Sequence, residues 1–544
     1  MTTWDRSLRR ELPKERGAIF KDWGGRIPIA IVYPNSYYVG MSNLGFQSLY
    51  ALLNSHDNIV CERVFWTGNA TPCLSIESQR PLSDFAVIAF SVSYELDYFN
   101  IIDILKSGSV PLFAADRDDS HPIVIGGGPC ITANPQPLSP FFDSLAIGEA
   151  EAILPAMVEA ITDGMEGSKD ELVRTLAAIP GIYAPCLNHD RTVHRQWVQH
   201  IDDFATTSVV LTPDTELGQM YLIEVTRGCR WGCRFCMAGY LFRPFRYRSL
   251  DNLLHQAEFG LEREKRIGVL GASPCDHPEI EELVTELQKR GAQISVSSLR
   301  VRPLPRVVLG ELTEGGAQTI ALAPEAGSER LRTVINKGIG DADIIEAMDK
   351  VSERRFKRLK LYFMIGLPSE TDSDIEDIIK LTLAAKACID RTRAGSRITL
   401  TVEPFVPKAG TPFQWLPMAS AEVLTHRLSL LRHALRAKGV AVASESANWM
   451  TVQGVLSRGD ARIGHVLANM EGRTLSSWRR AMDECSLDAQ YYVNREIPFS
   501  ERLPWANIDS GVAQDYLRSE LEQARLGRST PPCPLTECHE CGVC

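Results

Sequence analysis

Strand-like apolar runs alternate with helical segments along most of the chain, and they do so in two separate series. In the first, IPIAIVYP (27–34), FAVIAFSVS (85–93) and PIVIGGG (122–128) read as strands. LGFQSLYALLN (44–54) and FNIIDILKSG (99–108) read as helices between them, and SLAIGEAEAILPAMVEAI (144–161) as strand, turn and helix. Alternation of this kind predicts a parallel sheet covered by helices. The expectation is a Rossmann-like or flavodoxin-like domain over residues 1–170. A connector follows over 171–215, extended and hairpin-like from 181, and ends at the Pro213-Asp214 break. The second series has strands at YLIEV (221–225), RIGVLG (266–271), AQISVSSLRV (292–301), TIALAPE (319–325), RLKLYFMIG (358–366) and RITLTVEPF (397–405). Helices such as 279–291 and 342–355 lie between them. Six strand–helix units predict a partial (β/α)6 barrel of the TIM type over 216–440, not a full eight. Residues 441–544 read as a small mixed region, so the fold class is α/β throughout.

Charge and composition narrow the partners. Of the 544 residues 44% are hydrophobic and 23% charged, which is ordinary globular composition. A formal net charge of −10 argues against a general electrostatic grip on nucleic acid. Arg227, Arg230, Arg234, Arg243, Arg246 and Arg248 crowd one stretch, where they are candidates to meet an anionic ligand or substrate. No apolar run reaches the roughly 20 residues that span a bilayer, and MTTWDRSLRRELPKERG lacks the apolar core of a signal peptide. A cytoplasmic protein with no membrane partner is expected. There the 14 cysteines stay reduced, and tight groups of them point to metal. Seven are scattered. The others fall in two groups, at 229–236 and 533–544.

The first group lies in TRGCRWGCRFC, directly after YLIEV. Cys229, Cys233 and Cys236, spaced C-x3-C-x2-C, supply three ligands. A structural zinc wants a fourth, and the nearest downstream candidates, His255 and Cys275, lie beyond a predicted helix. Three thiolates on a short glycine-containing loop fit a cubane iron–sulfur cluster with one iron left open. CRWGCRFC at the end of the first strand of a six-unit barrel resembles the radical S-adenosylmethionine (SAM) superfamily. The resemblance implies an enzyme whose [4Fe-4S] cluster binds SAM at its open iron. One electron then cleaves SAM to methionine and a 5′-deoxyadenosyl radical, which abstracts a substrate hydrogen. It also implies an electron donor such as flavodoxin or ferredoxin. Gly271, Ala272 and Ser273 in VLGASPCDHP match the backbone contacts to the SAM amino group. Ser298 and Arg300 in ISVSSLRV match the carboxylate site. Glu325 in APEAGSERLRTVINKG matches the ribose contact, and Gly366 in YFMIGLPSET the approach of the adenine.

The first domain resembles the cobalamin-binding type that precedes this barrel in some members of the superfamily. An uncharacterised bacterial family of that architecture shares GMSxLG, the GGPC turn, PEAGSERLR, VPKAGTPFQW and a terminal CGVC with nearly the whole chain. Gly126, Gly127, Gly128 and Gly148 at the strand ends could admit a nucleotide tail. The histidine motif that binds base-off cobalamin, D-x-H-x-x-G, is missing: the loop after the first strand reads YPNSYYVGMSNLG. Cobalamin is therefore an open cofactor, and a domain kept for packing or substrate docking is the alternative.

The second cysteine group, Cys533, Cys538, Cys541 and Cys544 (C-x4-C-x2-C-x2-C), has the four ligands of a closed site. An auxiliary iron–sulfur cluster and a zinc site are both open. Three functions fit these features. One is a radical SAM enzyme, with cobalamin-dependent methyl transfer as one outcome. The second is a methylthiotransferase-like modification of RNA or protein. The third is a non-catalytic iron–sulfur electron carrier or redox sensor. The substrate class, whether small molecule, RNA or peptide, is not written in the residues.

Overall fold

The computed structural model describes residues 14–68, 72–187, 191–296, 299–354, 356–391, 396–535 and 538–544. Two compact units result: residues 1–220, 455–488 and 502–511 form one, and 221–454, 489–501 and 512–544 the other. The region after 440, expected as a separate piece, is thus divided between them.

The first unit is built on β1 (Ile27–Tyr33), α1 (Leu44–Asn54), β2 (Ile59–Phe65), β3 (Val87–Ser91), α2 (Tyr98–Ser107), β4 (Ile123–Gly127), β5 (Ser144–Ala146), α3 (Ala150–Gly164), α4 (Lys169–Ala178) and β6 (Ile182–Tyr183). Strand order is β2-β1-β3-β4-β5-β6, parallel up to β5. Every residue of β2 is buried, as a parallel strand sandwiched between helix layers must be. Helix α4 starts at a capping box in which Ser168 and Glu171 satisfy each other's backbone N–H. Among the described residues of the connector, no strand pairs with another as the expected hairpin would. Ile182–Tyr183 instead adds antiparallel to the edge of β5, and Val193–His194 pairs in parallel with the distant Ile508–Asp509. An exposed sheet edge offers β6 a ready row of unpaired backbone groups.

The second unit runs β7 (Tyr221–Glu224), α5 (Leu250–Leu261), β8 (Arg266–Leu270), α6 (Ile280–Lys289), β9 (Gln293–Val296), α7 (Arg306–Glu314), β10 (Thr319–Glu325), α8 (Glu329–Val334), α9 (Asp341–Ser352), β11 (Arg358–Ile365), α10 (Asp372–Arg391), β12 (Arg397–Pro404), α11 (Ala421–Arg436), β13 (Ala441–Ala443) and, near the C-terminus, α12 (Gln514–Arg525). The strands pair in parallel as β7-β8-β9 and β10-β11-β12-β13. A parallel bridge between Leu299 and Leu322 joins the two halves. This is the expected partial barrel, extended by the short seventh strand β13. Ser249, Ser328 and Ser420 cap α5, α8 and α11 with their side-chain oxygens.

Candidate functional site

The cysteine loop leaves β7 at its C-terminal end, where barrel chemistry is placed. Thr226–Arg227 pairs antiparallel with Arg246–Tyr247, so residues 228–245 form a closed excursion. Gly228 makes the turn at φ +77°, and a Cβ there would lie 2.3 Å from the Phe242 carbonyl oxygen. Cys229 and Cys233 are buried and Cys236 half-buried. Burial first, then the neighbouring Cys233 and Cys236, push the Cys229 thiol up to about 12. Burial and Cys233 raise Cys236 likewise, against the pull of Lys337. The three thiols thus share one small volume. Three thiolates there require a strong positive partner, which a metal cluster supplies. Among the described residues, no three His, Cys, Asp or Glu side chains converge as ligands of a single ion.

The loop is held by residues far away in sequence. Arg234 is fully buried. Its guanidinium donates to Glu520 (3.0 Å), to the Thr333 and Val334 carbonyls (3.1 and 2.9 Å), to the Arg528 carbonyl (2.9 Å) and to Thr530 Oγ1 (3.2 Å). Asn336 Nδ2 donates to the Gly232 carbonyl at 3.0 Å, and Trp231 Nε1 donates to Asp276 at 2.7 Å. The arginines do not form the anion-binding patch expected of them. Arg227 and Arg248 both donate to Glu224 at 2.9 Å. Burial would raise the Glu224 carboxyl, but Arg227 and then Arg248 outweigh it and leave it below its ordinary value. Arg243 lies between the rings of Tyr240 and Tyr516, 4.9 and 5.1 Å from their centroids. Arginines beside buried carboxylates and rings satisfy the fold first.

The strand-end candidates fall into three groups. Gly271, Ala272 and Ser273 follow β8. A Cβ on Gly271 would lie 2.3 Å from Thr226 Oγ1, so a side chain there would displace that hydroxyl. Thr226 Oγ1 and Ser273 Oγ are both buried without a hydrogen-bond partner. Such orphaned hydroxyls mark where a polar ligand is missing. Ala272 is exposed beside them. Arg300 reaches the cysteines: Nη1 is 3.9 Å from Cys233 Sγ, the guanidinium stacks 4.1 Å over Trp231, and Nη2 donates to the Lys337 carbonyl at 2.7 Å. Ser298 lies outside the described residues. Glu325 ends β10 at a register shift, with φ +69°, a region costly for any residue but glycine. Its carboxylate pairs with Lys337 Nζ at 3.0 Å, and both residues act electrostatically on Cys236. Gly366 turns at φ +77°, and a Cβ there would lie 2.7 Å from Leu424 Cδ2. Its N–H donates to Glu370 at 2.5 Å, so the protein's own packing already accounts for that glycine. Lys337, Asn336, Thr226 and Trp231 were not singled out by sequence. The string VINKG carried the signal for two of them, in the same stretch as Glu325.

Strands β10 to β12 alternate strictly between buried and half-buried residues. The buried set, such as Leu322, Leu361 and Val402, is the apolar face that helices cover. The half-buried set is Ala321, Ala323 and Glu325 on β10, Lys360, Tyr362 and Met364 on β11, and Thr399, Thr401 and Glu403 on β12. A filled barrel carries bulky branched residues on that face. This one carries mostly small and polar residues instead, with Tyr362 and Met364 on β11.

In the first unit, strand order reverses between β1 and β3, the usual ligand crevice of a doubly wound sheet. The strand-end glycines there are mostly filled by the chain itself. A Cβ would lie 2.8 Å from Ile131 and Phe142 atoms at Gly126, 2.6 Å from the Val92 carbonyl oxygen at Gly128, and 2.1 Å from the Gln196 carbonyl oxygen at Gly148. Only at Gly127 is the nearest atom at ordinary contact distance, 3.7 Å. After β1 and β3 sits a polar set around the buried Asp97 and Asn100: Asn35 Nδ2 donates to Asp97 at 2.8 Å, and Asn100 donates to the Pro34 carbonyl at 2.8 Å and accepts from Arg473 at 3.1 Å.

The four tail cysteines fall within twelve residues of chain. Burial raises the Cys533 and Cys544 thiols, the other tail thiols add to the rise and Arg243 opposes it. Cys541 is buried, Cys533 and Cys538 half-buried and Cys544 exposed.

Comparison with known proteins agrees with this geometry. Residues 223–382 match the model of the radical SAM superfamily, and residues 45–185 that of the N-terminal region of radical SAM proteins. An uncharacterised protein of Methanocaldococcus jannaschii is 32% identical over 448 residues, covering 81% of this chain and 90% of that protein. A ribosomal protein uS12 methylthiotransferase of Desulfotalea psychrophila is 23% identical over 286 residues, or 50% of this chain and 60% of the enzyme. Among solved structures, the radical SAM methyltransferase TsrM of Kitasatospora setae, with cobalamin and a [4Fe-4S] cluster bound, superposes with a TM-score of 0.52 at 12% identity. That match covers 85% of this chain and 98% of TsrM, and it shows a shared fold. The chain belongs to the radical SAM superfamily and is an enzyme of that class. No helix among the described residues is long and apolar enough to cross a membrane.

Proposed function

We propose that Cys229, Cys233 and Cys236 hold a [4Fe-4S] cluster, and that SAM lies between it and the ends of β8 to β11. When bound, such a cluster supplies the single electron that cleaves SAM to methionine and a 5′-deoxyadenosyl radical. The chain's own residues do the rest. Thr226 and Ser273 offer hydroxyls to the amino acid end of SAM beside Gly271 and Ala272. Arg300, stacked on Trp231, offers a cation to its carboxylate, together with Ser298. Glu325, held by Lys337 at the bulge, is aimed to accept from ribose hydroxyls. Gly366 shapes the turn beside the adenine. The half-buried face of β10 to β12 receives the substrate. The observation that carries this reading is that three mutually close thiols, Arg300, the Glu325–Lys337 pair and two orphaned hydroxyls lie at the C-terminal ends of one parallel strand series. Anaerobically purified protein given SAM and dithionite should release 5′-deoxyadenosine, and Cys233→Ala should abolish both the release and the site's iron. Unchanged iron and nucleoside in that variant would refute the assignment.

Cobalamin-dependent methyl transfer is a second outcome of the same chemistry. The crevice between β1 and β3, and the fold shared with TsrM, support it. The strand-end glycines do not, because protein atoms occupy three of the four Cβ positions. A cobalamin would have to be held by Gly127 and the polar set around Asp97. A cobalt count on protein reconstituted with hydroxocobalamin decides between the two. Methylthiotransferase-like activity draws support only from partial similarity to such enzymes. Substrate, electron donor and cellular compartment belong to the same set of proposals, with a flavodoxin or ferredoxin as donor.

A further inference from the structure

The tail cysteines are fastened to the loop of the first cysteine group at several points. The Cys533 N–H donates to the Arg230 carbonyl at 2.7 Å, and Arg230 Nε donates back to the Cys533 carbonyl at 3.1 Å. Arg230 is the residue after Cys229, so standard bond lengths put the Cα atoms of Cys229 and Cys533 within roughly 10 Å of each other. The Thr530 N–H donates to Asn336 Oδ1 at 2.9 Å, and the same amide group donates to Gly232. Arg234 binds Glu520 of α12, and the N–H of Ala513, the N-cap of that helix, donates to the Cys541 carbonyl at 2.9 Å. Arg243, 4% exposed, belongs to the first loop and stacks on Tyr516 of α12 at 5.1 Å from the ring centroid.

We propose that Cys533, Cys538, Cys541 and Cys544 hold a second, fully ligated iron–sulfur cluster that relays single electrons from an external carrier to the cluster at Cys229, Cys233 and Cys236. The proposal rests on the SAM reading of that first site. Four thiolates leave no iron open, so the tail site carries electrons and binds no SAM. Cys538, Cys541 and Cys544 form two C-x2-C pairs that share Cys541, which rules out the two separate knuckles of a zinc ribbon. A structural zinc would also be redundant where α12 and residues 528–533 are already pinned by an ion pair and backbone hydrogen bonds. Cys544 is exposed, while Cys533 is half-buried and hydrogen-bonded to Arg230, so the group runs from solvent to the first loop. In the transfer, a reduced flavodoxin-type carrier loses one electron and the tail cluster gains it. The tail cluster then returns to its oxidised state as the first cluster is reduced, with no atom or proton moved.

The test uses the full chain purified anaerobically, as wild type, Cys538→Ala and Cys544→Ser, the last guarding against misfolding of the second. Iron should be about eight per wild-type chain and about four in each variant, with one of two cluster signals lost by electron paramagnetic resonance. With dithionite, which reaches the first cluster directly, 5′-deoxyadenosine release should stay within about threefold of wild type. With reduced flavodoxin it should fall at least about tenfold, a barrier change of about 1.4 kcal/mol. Zinc with about four irons in the wild type would overturn the proposal, as would variants equally active with both donors. A wild type with about eight irons and no nucleoside release would refute the SAM reading, and with it the relay, while leaving the second cluster in place.

Discussion

Arg234→Met tests whether the cysteine loop and α12 are one energetic unit. The Arg234 side chain is fully buried and that of Glu520 is 5% exposed, with their charged atoms 3.0 Å apart. Removing the cation leaves Glu520 buried with a single hydrogen bond, from Thr530 Oγ1 at 2.7 Å. It also strips a donor from three carbonyls. Breaking one half of a buried pair costs about 3–5 kcal/mol. For a unit of this size each kcal/mol moves the melting temperature by about 2–4 °C, so a drop of roughly 6–20 °C is expected. The assay is differential scanning fluorimetry on metal-free protein, which separates packing from cluster binding. Hydrogen exchange of the Gln514–Arg525 peptides locates the loosening. Arg234→Met with Glu520→Met should recover at least about half of the loss, because two apolar side chains leave no unpaired charge. A single variant within about 2 °C of wild type, or a double variant worse than either single one, would refute the reasoning.

Gly271→Ala should keep the fold, because only the Thr226 hydroxyl has to give way, yet cut SAM cleavage at least about tenfold by turning that hydroxyl out of its place; steady-state kinetics at varied SAM measures it. Gly148→Ala should destabilise the first unit by more than about 2 kcal/mol, since φ is +127° and a Cβ would strike the Gln196 carbonyl. Gly127→Ala should be neutral in thermal denaturation and lower cobalamin affinity only if cobalamin binds there. Burial, opposed mainly by the Asn35 hydrogen bond, lifts Asp97 from 3.8 to about 7. The fold therefore holds a proton that the unfolded chain has already lost between those values, and stability falls as pH rises through this window. The fall is at most about 4 kcal/mol; melting temperatures from pH 5 to 8 should decline for wild type and flatten for Asp97→Asn.

The strands were legible because their signal is local and strong. Continuous runs such as IVCERVF and IPIAIVY must be buried, and the alternation in RITLTVEP fixes which face meets the helices. The cysteine loop was legible for the same reason: its three ligands fall within eight residues. What sequence did not deliver is what folding brings from afar. Asn336 reaches Gly232 across 104 residues and Arg234 reaches Glu520 across 286, and neither pairing leaves a periodic trace. Positive φ at Glu325 was equally hidden, because nothing in TIALAPE announces a bulge. The glycines misled in the other direction. At Gly126, Gly128 and Gly148 glycine is demanded by the chain's own close approach, which sequence cannot distinguish from room left for a ligand.

The arginines show how side-chain direction changes a functional inference. Counted along the chain, six cations near the cysteines favoured an anionic substrate. In the structure Arg227, Arg234 and Arg248 are spent on Glu224 and Glu520, Arg243 on two rings, Arg246 on the Pro244 and Phe242 carbonyls, and Arg230 on the tail. The polarity that faces the barrel interior comes instead from the strands, and the register grades it. Lys360 stands level with Thr399, Tyr362 with Thr401, and Met364 with Glu403. The cation therefore sits nearest the N-terminal ends of the strands and the carboxylate nearest the C-terminal ends, where the cysteine loop also lies. Burial raises the Glu403 carboxyl, opposed by a hydrogen bond from the Glu445 backbone, so the group closest to the reacting end prefers a hydrogen-bond partner or a cation to an anion. If this face receives the substrate as proposed, that substrate would present apolar surface and neutral or basic polar groups toward the cysteine loop, and keep any anionic group toward Lys360.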